Sequence, residues 1–219
     1  IDLVVSHTPA WVVLSTGTGL EVDPEGSNIS LEITQFGNTP SIPYLDGTVS
    51  ASGWNLTFPE DMPMMDPGAS IVFELLVEPP DGALSGPTVE LTLVARNGDG
   101  SGRGETTLPL GIMPDFDFGM EIPANWEGWQ ITEEGGMPRL KVSNLGNTAN
   151  TITFTLSGLP QGWTPNSGEA VLIWGESGGV PIDLVPASDW DGSPITLNLT
   201  ATDEGGKQIT IEVGIVQSS

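Results

Sequence analysis

The sequence predicts an all-β protein made of two antiparallel β-sandwiches in tandem. Three observations carry this. Short segments alternate apolar and polar residues, the period of half-buried strands. Gly (29) and Pro (19) make up about a fifth of the 219 residues and fall between those segments as turns, not in one tract. One stretch also occurs twice: Leu31-Glu32-Ile33-Thr34-Gln35-Phe36-Gly37-Asn38-Thr39 returns as Leu140-Lys141-Val142-Ser143-Asn144-Leu145-Gly146-Asn147-Thr148. Seventeen residues after its Gly, each copy meets a Gly-Trp pair, Gly53-Trp54 and Gly162-Trp163. No stretch keeps a helical period beyond a turn or two.

In the first half, Asp2–Val5 and Trp11–Leu14 read as strands around Pro9. Asn28–Gln35 alternates most clearly. Thr48–Ser52 and Asn55–Phe58 flank Gly53-Trp54, and Glu60–Pro67 is a loop with an apolar patch. Ser70–Val77 is a strong strand closed by Pro79-Pro80-Asp81-Gly82. Thr88–Arg96 alternates, Asn97–Gly102 turns the chain, and Glu105–Ile112 returns it. In the second half, Asp115–Met120 precedes Pro123-Ala124-Asn125-Trp126 as Asp2–Ser6 precedes Pro9-Ala10-Trp11. Leu140–Ser143, Thr151–Leu156, Ala170–Trp174, Val180–Val185, Ile195–Thr202 and Gln208–Ile215 then follow in the same order. The offset between halves drifts from 114 at Pro9/Pro123 to 109 at Gly-Asn-Thr and 103 at Leu108/Ile211, with the changes at turns. Loop insertions and deletions around a kept set of strands do this.

Seven or so strands per half, with frequent turn signals, is the pattern of an immunoglobulin-like sandwich. The boundary falls near Ile112–Pro114 and divides the chain into 1–112 and 113–219. A linker this short implies a fixed or hinged pair of domains. Halves of about 110 residues bury enough surface to hold a core without staples, in keeping with the absence of Cys.

The net charge of −24 comes from missing bases: 29 acids stand against only 5 Lys and Arg. That excludes nucleic acid, since nothing could neutralise a run of phosphates, and it disfavours anionic membrane surfaces. Divalent cations are the natural counterions, and self-repulsion is screened by salt. With no Cys and a single His, His7, expected at a strand edge, thiol chemistry, iron–sulfur ligation, a Ser-His-Asp triad and His-rich zinc sites are excluded. Two lysines, Lys141 and Lys207, stand in no phosphate loop. Carboxylate pairs such as Glu60/Asp61 and Glu133/Glu134 are adjacent, so on an extended chain they point apart, unlike a glycosidase pair. The expectation is no enzyme. The sequence shows no signal peptide and no apolar run of eighteen residues, and it opens on Ile1, as expected of a processed product or a piece of a longer protein.

The strand end Val142-Ser143-Asn144-Leu145-Gly146-Asn147-Thr148, the pair Gly162-Trp163, the Gly175–Gly178 turn and a strand end at Pro186 resemble the NEW3-type Ig-like repeats, which are similar to CARDB-type modules of archaeal and bacterial cell-surface proteins. The resemblance covers Leu140–Val216 well and Leu31–Ile112 less well, where Gln35 and Phe36 replace the Asn-Leu pair. It implies spacers, surface-layer components or accessory modules of glycoside-processing enzymes, with no shared catalytic residue.

Candidate binding residues fall in three groups. Asn97, Asp99 and Ser101 place oxygen ligands at alternate positions, in the manner of a calcium loop; Asn-Gly and Asp-Gly are equally standard hairpin turns. Trp126, Trp129 and Trp190 stand beside acids, and Met62, Met64 and Met65 form a loop patch; both suit a subunit interface, and Trp also suits sugar stacking. Asn28, Asn55 and Asn198 head Asn-x-Ser/Thr sequons compatible with a glycosylated surface protein. The sequence therefore reads as a non-catalytic extracellular module of a prokaryotic, archaeal-type cell-surface or surface-layer assembly. Its expected partners are like subunits or other domains of the parent protein, with calcium as a candidate counterion and no membrane insertion in this stretch. The alternative is a carbohydrate-binding accessory module taking polysaccharide.

Overall fold

The computed structural model describes residues 11–15, 20–122, 129–132, 134–136, 139–166 and 168–218. The chain divides into two compact units, Ile1–Pro114 and Asp115–Ser219.

In the first unit the described strands are β1 (Trp11–Ser15), β2 (Leu20–Val22), β3 (Ser27–Gln35), β4 (Tyr44–Val49), β5 (Asn55–Thr57), β6 (Ser70–Glu78), β7 (Val89–Arg96) and β8 (Gly104–Ile112). They form two four-stranded sheets, β1-β3-β6-β5 and β2-β8-β7-β4. All pairs are antiparallel except β2 with β8. The alternation read in the sequence becomes burial: Ile29, Leu31 and Ile33 of β3 face Leu91, Leu93 and Ala95 of β7 across one core, with Leu75, Val77, Val22 and Leu110. A face of this kind gives about 25 cal/mol per Å² of apolar surface removed from water.

Two strand readings needed correction. Tyr44–Val49 is a strand, and the expected Thr48–Ser52 is its last two residues followed by a turn. Gly47 obscured it, because a glycine inside an alternating run reads as punctuation. Its cause is packing: a Cβ there would meet the Phe58 ring at 3.0 Å and the Thr92 carbonyl at 3.1 Å. The three-residue β2, held parallel to β8, is too short to show a period. The expected strand at Asp2–Val5 and the residue His7 lie outside the described residues.

The second unit contains β9 (Phe118–Glu121), β10 (Trp129–Ile131), β11 (Arg139–Asn144), β12 (Asn150–Ser157), β13 (Thr164–Asn166), β14 (Glu169–Leu172), β15 (Ser177–Pro181), β16 (Asp183–Val185), β17 (Ile195–Thr202) and β18 (Gln208–Gln217). The order β10-β18-β17-β12-β14 makes one sheet; β15-β11-β9 and the pair β13-β16 make up the opposite side. Val142, Ile152, Phe154, Leu197, Leu199, Val213 and Ile215 form its core.

Pairing gives the true equivalences between units. β11 takes the place of β3 and β12 that of β4. β15 with β16 takes the place of β6, interrupted after Pro181, which has no N–H to continue a ladder. Cross-strand hydroxyl pairs confirm the register: Thr34 and Ser70 lie at 2.7 Å, and so do Ser143 and Ser177. Trp11 pairs with Gln35 as Phe118 pairs with Asn144. The counterpart of Trp11 is therefore Phe118, not Trp126 as the Pro-Ala strings imply. Trp129, on the strand parallel to β18, stands where Leu20 stands beside β8.

Candidate functional site

The repeated strand end does structural work. Gln35 and Asn144 are buried at equivalent positions. Each turns its side-chain amide back on the chain: Gln35 Nε2 donates to the Thr39 carbonyl at 2.5 Å, Asn144 Nδ2 to the Thr148 carbonyl at 2.7 Å. Asn144 Nδ2 also meets the Leu172 carbonyl at 3.0 Å, and its Oδ1 accepts from the Gly146 N–H at 3.1 Å. The amide so pins the Gly-Asn-Thr turn to the sandwich edge, satisfying buried backbone groups that would otherwise cost stability.

The Asn97–Ser101 loop, which carries the cation candidates, is a hairpin turn closed by the Asn97 N–H on the Ser101 carbonyl at 2.9 Å. Asn97 is buried, and its Oδ1 accepts from Trp11 Nε1 at 3.0 Å and from Ser41 Oγ at 2.7 Å. Its Nδ2 donates to Ser101 Oγ at 3.0 Å, and Ser101 donates through Oγ (2.6 Å) and N–H (2.9 Å) to Asp99 Oδ1. The candidate ligand oxygens are thus committed to one another and to the core. The other unit repeats the geometry: Asp203 N–H donates to the Lys207 carbonyl and Gly206 N–H to the Asp203 carbonyl, as Asn97 and Gly100 do with Ser101 and Asn97. Asp-Gly-Ser also recurs at 191–193, with Ser193 N–H on Asp191 Oδ1 at 2.9 Å. The Ser101 and Ser193 hydroxyls, then their N–H groups, hold the carboxyls of Asp99 and Asp191 below their ordinary 3.8. Among the described residues no three of His, Asp and Glu gather to hold a metal ion.

The expected contact residues separate. Trp129 is 0% exposed and belongs to the core, so its side chain is removed from any surface. Met65 is likewise buried, at 2%, because the bridge Ser41↔Met65 ties its backbone to the sheet, and Met62 packs partly under the loop. Met64 alone of the three methionines is on the outside. Trp190 packs edge-on against Trp163 at 5.1 Å between ring centroids and donates Nε1 to the Ser193 carbonyl. Trp126 lies outside the described residues, as does Glu133. All three sequon asparagines, Asn28, Asn55 and Asn198, are exposed on strands.

An apolar rim recurs between the units: of its four exposed positions, sequence reasoning named Met64 and missed the other three. Phe36 and the equivalent Leu145 are 62% and 60% exposed; Met64 and the equivalent Val171 are 67% and 65% exposed. Ile173 and Trp174 extend the rim in the second unit. The signal was present: Val171 occupies the outward phase of β14, where alternation calls for a polar residue, and Ile173 and Trp174 follow it. Open clefts also mark the surface. One, of about 620 Å³, lies in the first unit between exposed Ile42 and Tyr44 on one side and Glu60, Asp61 and Met62 on the other, with Arg96 stacked 4.7 Å from the Tyr44 ring. Another, of about 290 Å³, lies over Gly178 and Gly179 beside Arg139 and Lys141, and Lys141 is paired with Glu121. No helix among the described residues is long and apolar enough to cross a membrane.

The sequence matches no protein-family model and no curated protein. Among solved structures it is similar to the first four extracellular cadherin domains of Protocadherin Gamma B7, at 17% identity and TM-score 0.49 over 97% of this chain and 51% of that one. It is also similar to the D00-D0 domain of Intimin, at 10% identity and TM-score 0.39 over 94% and 99%, and to titin domains z1z2, crystallised with telethonin, at 15% identity and TM-score 0.33 over 99% and 100%. The chain spans about half the length of the protocadherin structure. The strand pairing itself makes the fold two immunoglobulin-like β-sandwiches in tandem.

Proposed function

We propose that this chain is a non-catalytic, extracellular interaction module, part of a prokaryotic cell-surface or surface-layer assembly in which it contacts like subunits. The observation that carries this reading is the rim. Two exposed apolar positions recur at equivalent places in both units, Phe36 with Leu145 and Met64 with Val171. Exposed apolar clusters on a soluble surface mark contacts. The buried polar residues Asn97 and Asn144 are spent on turns, which leaves the surface as the functional part. The test is molar mass by light scattering on the full chain, with calcium and then with chelator. Association in both solutions supports subunit contact through side chains. Association only with calcium moves the contact to cation bridging, and a monomer in both sinks the reading.

The first-unit cleft favours a second reading, polysaccharide binding, because an exposed Tyr44 stands there beside Glu60 and Asp61, an apolar plate with hydrogen-bonding neighbours. Retardation in gels cast with neutral polysaccharide, abolished by Tyr44→Ala, is its expected outcome; unretarded migration of the parent chain removes it.

A further inference from the structure

One strand edge is covered in the second unit and open in the first. β14 lies along β12: the pairs Asn150↔Leu172 and Ile152↔Ala170 lead on to Phe154, whose N–H meets the Gly168 carbonyl at 3.3 Å. In the first unit the same ladder starts and stops. Ser41 and Met65 exchange both backbone bonds, at 3.0 and 2.9 Å. The next hydrogen-bonding pair is Pro43 opposite Pro63, and neither has an N–H to give. The chain therefore peels away from β4, and the cleft between Tyr44 and Glu60-Asp61 is the gap it leaves. A further cleft, of about 420 Å³, shares Asp46 and Phe58 with it and continues along Gly47, Thr48 and Val49 to Trp54 and Leu56. Together they form a groove between β4 and β5, the last strands of the two sheets. Trp54, Leu56 and Phe58, packed partly into the core, make its apolar floor. Ser50 N–H donates to the Glu90 carbonyl, so by alternation Tyr44, Asp46 and Thr48 turn their backbone groups to β7, and Leu45, Gly47 and Val49 turn theirs to the groove. Asp46 Oδ1 accepts from the Gly47 N–H at 2.8 Å. Among the described residues no strand pairs with this outer edge of β4.

We infer that an extended segment of a different protein, bearing lysine or arginine, pairs with the β4 edge in this groove. This rests on the reading of the chain as an interaction module and adds a partner of opposite charge to its like-subunit contact. Charge selects the partner. Asp46, Glu60 and Asp61 line the groove and no base does. Arg96, beside it on β7, stacks on the Tyr44 ring and lies 3.9 Å from Asp46, while Glu60 and Asp61 have no ion pair among the described residues. A second copy, with 5 bases against 29 acids, is a poor source of the missing charge. Face matching selects the pattern, since residues opposite each other in a ladder share a face. Leu45, Gly47 and Val49 form the inward row of β4; Tyr44, Asp46 and Thr48 form the outward row. The segment therefore alternates. Its apolar side chains lie inward over Trp54, Leu56 and Phe58, and its basic ones lie outward against Asp46 and the Tyr44 ring.

The experiment is fluorescence anisotropy of labelled peptides added to the full chain. β4 spans about 20 Å, so octapeptides cover its edge. One alternates Val and Lys, one is the same sequence with every backbone nitrogen methylated, and one alternates Val and Glu. The parent chain is compared with Asp61→Lys and with Glu212→Lys, the same charge reversal at an exposed strand position of the second unit. The urea midpoint verifies that both variants are folded. The expected result is saturable binding of the Val–Lys peptide alone, weakened at about 1 M salt, with a Kd raised at least about fivefold by Asp61→Lys and unmoved by Glu212→Lys. Equal binding of the methylated peptide, which keeps the charge and loses the backbone donors, overturns strand pairing. Equal binding of the Val–Glu peptide overturns the charge selection, and equal effects of the two substitutions overturn the location. A chain that ignores all three peptides overturns the inference; retardation by neutral polysaccharide through Tyr44 then gives the cleft to sugar. Molar mass reads self-association separately, so failure here with an associating chain leaves the like-subunit reading standing.

Discussion

One side-chain amide, placed at the end of the repeated strand, closes the same turn in both units. It reaches the turn as Gln35 in one and as the shorter Asn144 in the other. Replacing Asn144 by Leu leaves the Thr148 and Leu172 carbonyls without their donor. It should lower stability by about 1–3 kcal/mol, measured by urea unfolding; an unchanged midpoint would show that the amide does not hold the turn. The carboxyls of Asp99 and Asp191 are held below 3.8 by Ser101 and Ser193. A depressed carboxylate adds stability above its unfolded pKa and loses it as pH falls through the folded value. Carboxyl-carbon NMR midpoints should therefore lie below the ordinary aspartate value for both residues and move toward it in Ser101→Ala and Ser193→Ala, which lose the hydroxyl donor and keep the N–H. Single residues were the least legible part of the sequence. Trp129 beside acids reads as a surface anchor, yet its strand of three is too short to reveal that it faces inward. Asn97, an apparent ligand, is a core residue because the distant Trp11 and Ser41 both donate to it.

At the scale of elements, alternation made β3, β6, β7, β8, β17 and β18 readable, since each is long enough for its period to show and each has one buried face. What stayed hidden was set by tertiary contact. β4 is broken in sequence by a glycine that packing demands, and β14 ends at Leu172 because Glu176 folds back, its carboxylate accepting from the Ile173 N–H. Gly146, shared by both copies of the motif, is a second glycine fixed by a neighbour: a Cβ would lie 2.1 Å from the Asp115 carbonyl oxygen. Gly146→Ala should force the Asp115 segment away and cost about 1–3 kcal/mol. A thermal scan showing no loss of stability would place that segment elsewhere. Exposed apolar residues at outward strand positions, Val171 on β14 and Val72 on β6, are the element-level clue to function.

Across the whole molecule, duplication and charge imbalance are both plain in the sequence, but their joint consequence needs the fold. A repeat predicts two like sandwiches. Only the strand pairing shows that the same rim positions, Phe36 with Leu145 and Met64 with Val171, are exposed in each. If an acidic body associates through a neutral rim, salt should strengthen the contact by screening the repulsion of the remainder, and a chelator should leave it unchanged. The most direct measurement is the molar mass of the full chain by light scattering as salt is raised from about 50 mM to about 1 M. The account predicts a mass that climbs toward twice that of the monomer. A mass that falls with salt would mean that ion pairs hold the subunits together, and a constant monomer would mean that the rim has no like subunit to meet; either contradicts it.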